Sequence, residues 1–156
     1  MTDPADIHAA LADRRATVAV AESLTAGLLA AALTETPGAS TTFRGGVVVY
    51  ATELKAVLAG VPERLLAKHG PVSGPVAEAM AAGVRGRLGA TYGVALTGVA
   101  GPDPQDGVPA GTVYVAVAGP EGTQVRRVCL PGDRAEVRSG AVRAALNLLA
   151  GTLRVS

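Results

Sequence analysis

Apolar positions along the chain change period repeatedly, and the changes mark out alternating strands and helices. Ile7 and Leu11 share one face of an opening helix read over Ile7–Arg15. Thr17–Ala21 is a short continuous apolar run, read as the first strand. It stops at Glu22 and Ser23, and an Ala/Leu-rich helical pattern follows over Thr25–Thr34. Gly45–Tyr50 reads as a buried strand with a polar tip. Thr52 caps a helix over Glu53–Ala59, and Pro62 starts a short one ending near Gly70. Ser73-Gly74-Pro75 starts another helix, with Val76, Met80 and Val84 on one stripe and an end near Gly89. Tyr92–Thr97 is a third strand. Thr112–Ala118 and Thr123–Leu130 form a hairpin around Gly119-Pro120-Glu121-Gly122. Asp133 with Glu136 makes a capping box for a last helix, Arg134–Leu149.

Five strands, the first three interleaved with helices, predict an α/β fold. The expected form is a three-layer α/β/α sandwich on a mixed, mainly parallel five-stranded sheet. No repeat and no linker divides the chain, so a single domain over residues 1–156 is expected. In such a sheet ligands collect where parallel strands end. Three strand ends carry the interesting residues, and the segment Gly98–Gly111 is too long and too rich in Gly and Pro for a plain connection.

Composition narrows the classes. Hydrophobic residues make up 49% of the chain and charged ones 17%, which speaks against disorder, and the 3% aromatics suit closely packed layers of small side chains. The formal net charge is +1, with no basic stripe carrying aromatics, so no nucleic-acid partner is expected. No apolar run is long enough for a bilayer, and Met1–Asp6 lacks the pattern of a signal peptide. The lone Cys129 excludes an internal disulfide and a zinc cluster. A cytoplasmic protein with no membrane partner is expected. An Ala-rich helix surface leaves self-association open.

The candidate chemistry lies at the strand ends. Ser23 offers a nucleophile beside a helix start, although a hydroxyl there also serves as a simple cap. Lys55 falls in the first turn of its helix, where the macrodipole disfavours a cation; burial would favour its neutral form further. Together they would make a Ser–Lys hydrolase dyad, an alternative to serine–histidine that suits a chain with only two histidines. Tyr50 is placed to bond Ser23 or Lys55 and relay a proton, or else to anchor the sheet. His8 is read as lying on the exposed side of its helix and His69 as ending one. Thr97-Gly98-x-x-Gly101 offers backbone amides to a phosphate or an oxyanion but is neither a Walker loop nor a dinucleotide fingerprint. Arg134 and Arg138 share a helix face that could hold a phosphate, and a solvated arginine face fits the same spacing. No metal site is expected.

Read together, Ala21-Glu22-Ser23-Leu24-Thr25-Ala26-Gly27, Pro37-Gly38-Ala39-Ser40, Arg44 to Lys55, His69-Gly70-Pro71-Val72-Ser73, Thr97-Gly98-Val99-Ala100-Gly101-Pro102, Pro109 to Val113 and Gly132-Asp133-Arg134 resemble the CinA C-terminal domain family. The likeness runs from about Ile7 to Leu149. It implies the fold predicted above and hydrolysis of nicotinamide mononucleotide to nicotinic acid mononucleotide and ammonia, without a cofactor. It also implies Ser23 as nucleophile, Lys55 as base and Tyr50 as supporting relay. Glu22, Thr25, Gly27, Gly46, Thr97, Gly98, Gly101 and Arg134 or Arg138 would line the site of a small nucleotide substrate. Main-chain amides near Thr25–Gly27 would hold the oxyanion.

The chain departs from the family pattern at Ala26, where glycine is usual, and at Gly74, often acidic. The long N-terminal domain of full-length CinA proteins is missing, so its activity is not expected. A non-catalytic nucleotide-binding or regulatory module of the same fold is the alternative function. A depressed Lys55 pKa with contact to Ser23 would favour the enzyme. A dehydrogenase-type Tyr/Lys pair fails, because four residues rather than three separate Tyr50 from Lys55.

Overall fold

The computed structural model describes residues 2–155. The expected domain over 1–156 therefore includes two residues, Met1 and Ser156, that lie outside the described ones. Helix α1 spans Pro4–Asp13, earlier than the apolar pattern indicates, because Asp3 accepts the amide of Ala5 (2.9 Å) and Pro4 opens the first turn. Strand β1 is Val18–Glu22 and helix α2 is Leu28–Thr34. The predicted start of α2 at Thr25 is corrected: Ala26 (φ +45°) and Gly27 (φ +104°) are left-handed, so Thr25–Gly27 form a turn and not the first helical turn.

Strand β2 is Phe43–Val48 and helix α3 is Thr52–Ala59. Two expectations are corrected here. β2 is not buried, because it lies at a sheet edge and its residues alternate between half-buried and exposed. Thr52 is the first helical residue and not the cap, a position held by Ala51. Helix α4 (Glu63–His69) follows Pro62, and α5 spans Gly74–Arg87. Ser73 stands at the cap position of α5, yet its hydroxyl donates back to Gly70 O (3.0 Å). Strands β3 (Tyr92–Gly98), β4 (Thr112–Gly119) and β5 (Gly122–Cys129) precede α6 (Arg134–Leu153), which opens on the predicted capping box.

The sheet order is β2-β1-β3-β4-β5. β1 runs parallel to both β2 and β3; β4 alone runs against its neighbours. The sheet is thus mixed, and the carboxyl ends of β1, β2 and β3 share one edge.

The two faces of the sheet differ in residue size. On one, Val18, Val20, Val94, Leu96, Val113 and Val115 pack against Ile7 and Leu11 of α1, Leu29 and Leu33 of α2, and the long α6. On the other, Ala19, Ala21, Ala95, Ala116 and Ala118 meet Val76, Ala77, Met80, Ala81 and Val84 of α5. Alanines let α5 settle close to the sheet. A Cβ at Gly93 of β3 would fall 2.2 Å from Ala81 O, and one at Gly83 of α5 would fall 1.7 Å from Ala59 O. None of the described helices is long and apolar enough to cross a membrane.

Candidate active site

Strand alternation decides which face each strand-end residue adopts. Ala19 and Ala21 of β1 and Ala95 of β3 point to the alanine face, so Ser23 and Thr97, two residues further on, emerge on that face. Glu22 follows Val18 and Val20 to the opposite face. The ends are pinned by the backbone: Ser23 N donates to Leu96 O (3.1 Å) and Val49 N to Glu22 O (2.8 Å).

Lys55 enters this corner from α3. It is buried, and its Nζ donates to Ser23 Oγ (3.0 Å), Val49 O (2.7 Å) and Tyr50 O (3.4 Å). Among the described residues no carboxylate bonds it. Removal from water lowers its pKa from 10.5 to about 8, and the charge of Glu53 only partly opposes this. About a tenth of the protein therefore holds Lys55 neutral at pH 7, able to accept the Ser23 proton along the same contact.

A cavity of about 470 Å³ opens over the pair, within the rough 300–1,000 Å³ of small-molecule sites. Ser23, Lys55, Tyr50, Thr97, Gly98, Gly101 and Arg134 all line it. Tyr50 is 56% exposed. Its hydroxyl accepts from Arg134 Nη2 (2.9 Å), so the expected bond to Ser23 or Lys55 is corrected: the contact with Lys55 runs through the Tyr50 carbonyl. Arg134 Nη1 also donates to Gly101 O (2.7 Å), tying α6 to the glycine loop. At Gly101 the backbone has φ +90° and a side chain would strike Ala110, so this turn needs glycine.

The remaining expected site residues stand away from the cavity wall. The Glu22 carboxylate accepts Thr25 Oγ1 (2.6 Å), Leu29 N (2.9 Å) and Ala30 N (3.0 Å), so Glu22 and Thr25 clamp the start of α2. Arg138 donates from Nε to Leu24 O (3.0 Å) and braces the turn that carries Ser23. Gly27 opens α2, and Gly46 lies in β2 against Val20. Of the amides expected to hold an oxyanion, that of Ala26 is spent on Ser23 O (3.1 Å). His8 corrects its exposed assignment: its Nδ1 lies 2.7 Å from Thr42 Oγ1, half-buried. His69 ends α4 in solvent.

Sequence reasoning missed the wall made by Pro71 and Val72 and the rim of Asp103, Pro104 and Gln105. The only signal for the wall was the His69–Ser73 motif, to which no chemistry attaches in sequence. Among the described residues no three His, Cys, Asp or Glu side chains group as metal ligands.

Against known proteins, the family model of the CinA C-terminal domain matches residues 3–153. A CinA-like protein of Frankia casuarinae is 61% identical over 139 residues, covering 89% of this chain and 32% of that protein. A CinA-like protein of an Anaeromyxobacter species is 49% identical over 154 residues, covering 97% of this chain and 37% of its own. The chain thus spans about a third of the length of these curated relatives. The crystal structure of the competence damage-inducible protein A of Klebsiella pneumoniae superposes with a TM-score of 0.93 at 36% identity, over 97% of this chain and 95% of that one. A competence/damage-inducible protein of Agrobacterium tumefaciens gives 0.87 at 33% identity, over 99% of both chains.

Proposed function

The chain belongs to the CinA C-terminal domain family, and we propose that it is an amidohydrolase converting nicotinamide mononucleotide and water to nicotinic acid mononucleotide and ammonia. The observation that carries this reading is the buried contact between Lys55 Nζ and Ser23 Oγ at the floor of the cavity, with the lysine depressed to about 8. A lysine that only bound an anion would gain from staying charged and solvated; one that serves as a base gains from burial.

Neutral Lys55 takes the Ser23 proton as Oγ attacks the carboxamide carbon, leaving an oxyanion on the former carbonyl oxygen. Collapse breaks the C–N bond. Lys55 returns the proton to the departing nitrogen, and ammonia leaves an ester on Ser23. Water then attacks that ester, losing a proton to Lys55, and the acid departs as Ser23 recovers its hydrogen. Main-chain amides of the Ser23 turn and the Gly98–Gly101 loop, other than those of Ser23, Ala26 and Val99 that already donate within the fold, would hold the oxyanion. Arg134 offers its remaining N–H groups to the phosphate. Tyr50 acts mainly by holding Arg134 and by giving its carbonyl to Lys55.

Ammonia release from nicotinamide mononucleotide by purified protein tests this. Ser23→Ala and Lys55→Ala are each expected to lower turnover by roughly 10³-fold or more while the protein stays folded. Saturable binding of the nucleotide with no ammonia from the unmodified protein would instead make the chain a ligand-binding module.

A further inference from the structure

Thr97 stands beside Ser23 with a hydroxyl whose remaining hydrogen-bonding capacity is restricted to accepting. The residue is 1% exposed, and its hydroxyl donates to Pro71 O at 2.6 Å. A hydroxyl has one proton to give, so with that proton committed Thr97 offers only lone pairs to anything in the cavity it lines. Ser23 and Thr97 stand on neighbouring parallel strands, Glu22 opposite Leu96, at the roughly 5 Å spacing of a sheet and on the same face. Lys55 on the other side of Ser23 is a donor. The nucleophile is therefore flanked by a donor and by a fixed acceptor.

We propose that Thr97 determines specificity for a primary carboxamide by accepting a hydrogen bond from its NH₂ group. The assignment rests on the amidohydrolase reading of the same site. A carboxamide placed with its carbon at Ser23 Oγ has two N–H bonds to offer. One spent on Thr97 would aim the nitrogen away from the oxyanion side and hold it through bond cleavage. The acid produced has no such donor. Its carboxylate would meet Thr97 lone pair against lone pair, a mismatch that favours release and weakens product inhibition. An ester of the same acid has no N–H either, and gains nothing from Thr97.

The test compares nicotinamide mononucleotide with the methyl ester of nicotinic acid mononucleotide in the unmodified protein, Thr97→Ser and Thr97→Val. Thr97→Val is expected to lower kcat/KM for the amide by roughly 10- to 100-fold, the worth of one bond to a reacting group, and to leave the ester within a few-fold. Thr97→Ser keeps both. Loss of the Pro71 tether alone would depress amide and ester together, and equal losses overturn the proposal. If the unmodified protein hydrolyses neither, the amidohydrolase reading falls separately. Equilibrium binding still decides on Thr97: tighter binding of the amide nucleotide than of the acid, levelled in Thr97→Val, supports it, and no preference refutes it.

Discussion

The two faces of the sheet solve the same packing problem with opposite means. The face under α1, α2 and α6 fills its space with Val, Leu and Ile. The face under α5 is lined by five alanines and lets helix and sheet backbones come together. The candidate site stands at the carboxyl edge of the second face. A thin layer of small side chains holds the α5 lead-in, with Pro71 and Val72, close against the ends of β1 and β3. Ser23, Thr97 and Lys55 can then converge below a cavity. The face built on large side chains carries the supports instead: Glu22 clamps α2, and Arg138 braces Leu24.

Neighbouring residues of β3 allow the contrast to be broken from either side. Leu96→Ala on the large-residue face should cost about 2–5 kcal/mol through the cavity left behind, read in denaturant unfolding. Turnover per folded molecule should change little. Ala95→Leu on the alanine face should cost about 1–3 kcal/mol by overpacking. Because it pushes α5 and the Pro71 segment off the sheet, it should lower ammonia release well beyond its effect on stability. Equal functional responses would refute the division of labour.

A second substitution sharpens the comparison at its most costly point. Lys55 is charged in both states below pH 8 and neutral in both above 10.5; between these values the unfolded chain binds the extra proton. Its burial therefore costs about 3 kcal/mol below pH 8, and that penalty fades as pH rises toward 10.5. Lys55→Met should abolish turnover yet raise stability at pH 7 by about 1–3 kcal/mol, since cavity water can satisfy the carbonyls it leaves. The gain should shrink across the same alkaline window. In the unmodified protein, kcat/KM should climb about tenfold per pH unit and level off near pH 8. A destabilised Lys55→Met with a pH-independent gap would show that the lysine is held without strain.

The smallest effect is expected at the turn after Ser23. Ala26 sits at φ +45°, a conformation that penalises a Cβ by roughly 1–2 kcal/mol, most of which the greater freedom of unfolded glycine cancels. Ala26→Gly should raise the midpoint of thermal unfolding slightly, by less than about 1 kcal/mol in stability. A clear loss would mean that the exposed methyl has a contact of its own.

Much of this molecule was legible in advance for identifiable reasons. Period changes and caps placed the elements, because apolar alternation and capping chemistry are local. Ser23 and Lys55 stood out because each follows a strand at a short polar turn. The start of α2 is not legible locally, since Thr25 looks like a cap until Ala26 and Gly27 turn left-handed. β2 reads as buried from its apolar run, and only the order of strands puts it at an edge. Glu22 is a plausible ligand in sequence; in the fold its carboxylate is spent on the start of α2.

What the chain determines by itself is therefore the order of elements, the parity along each strand and the residue types at each strand end. These depend on neighbours a few positions apart. The tertiary structure alone decides that the Tyr50 hydroxyl belongs to Arg134, that the Thr97 proton belongs to Pro71, and that burial brings the Lys55 pKa down to about 8. Each of those depends on what packs over a group from tens of residues away. Burial and the direction of a hydrogen bond exist only once that packing is in place.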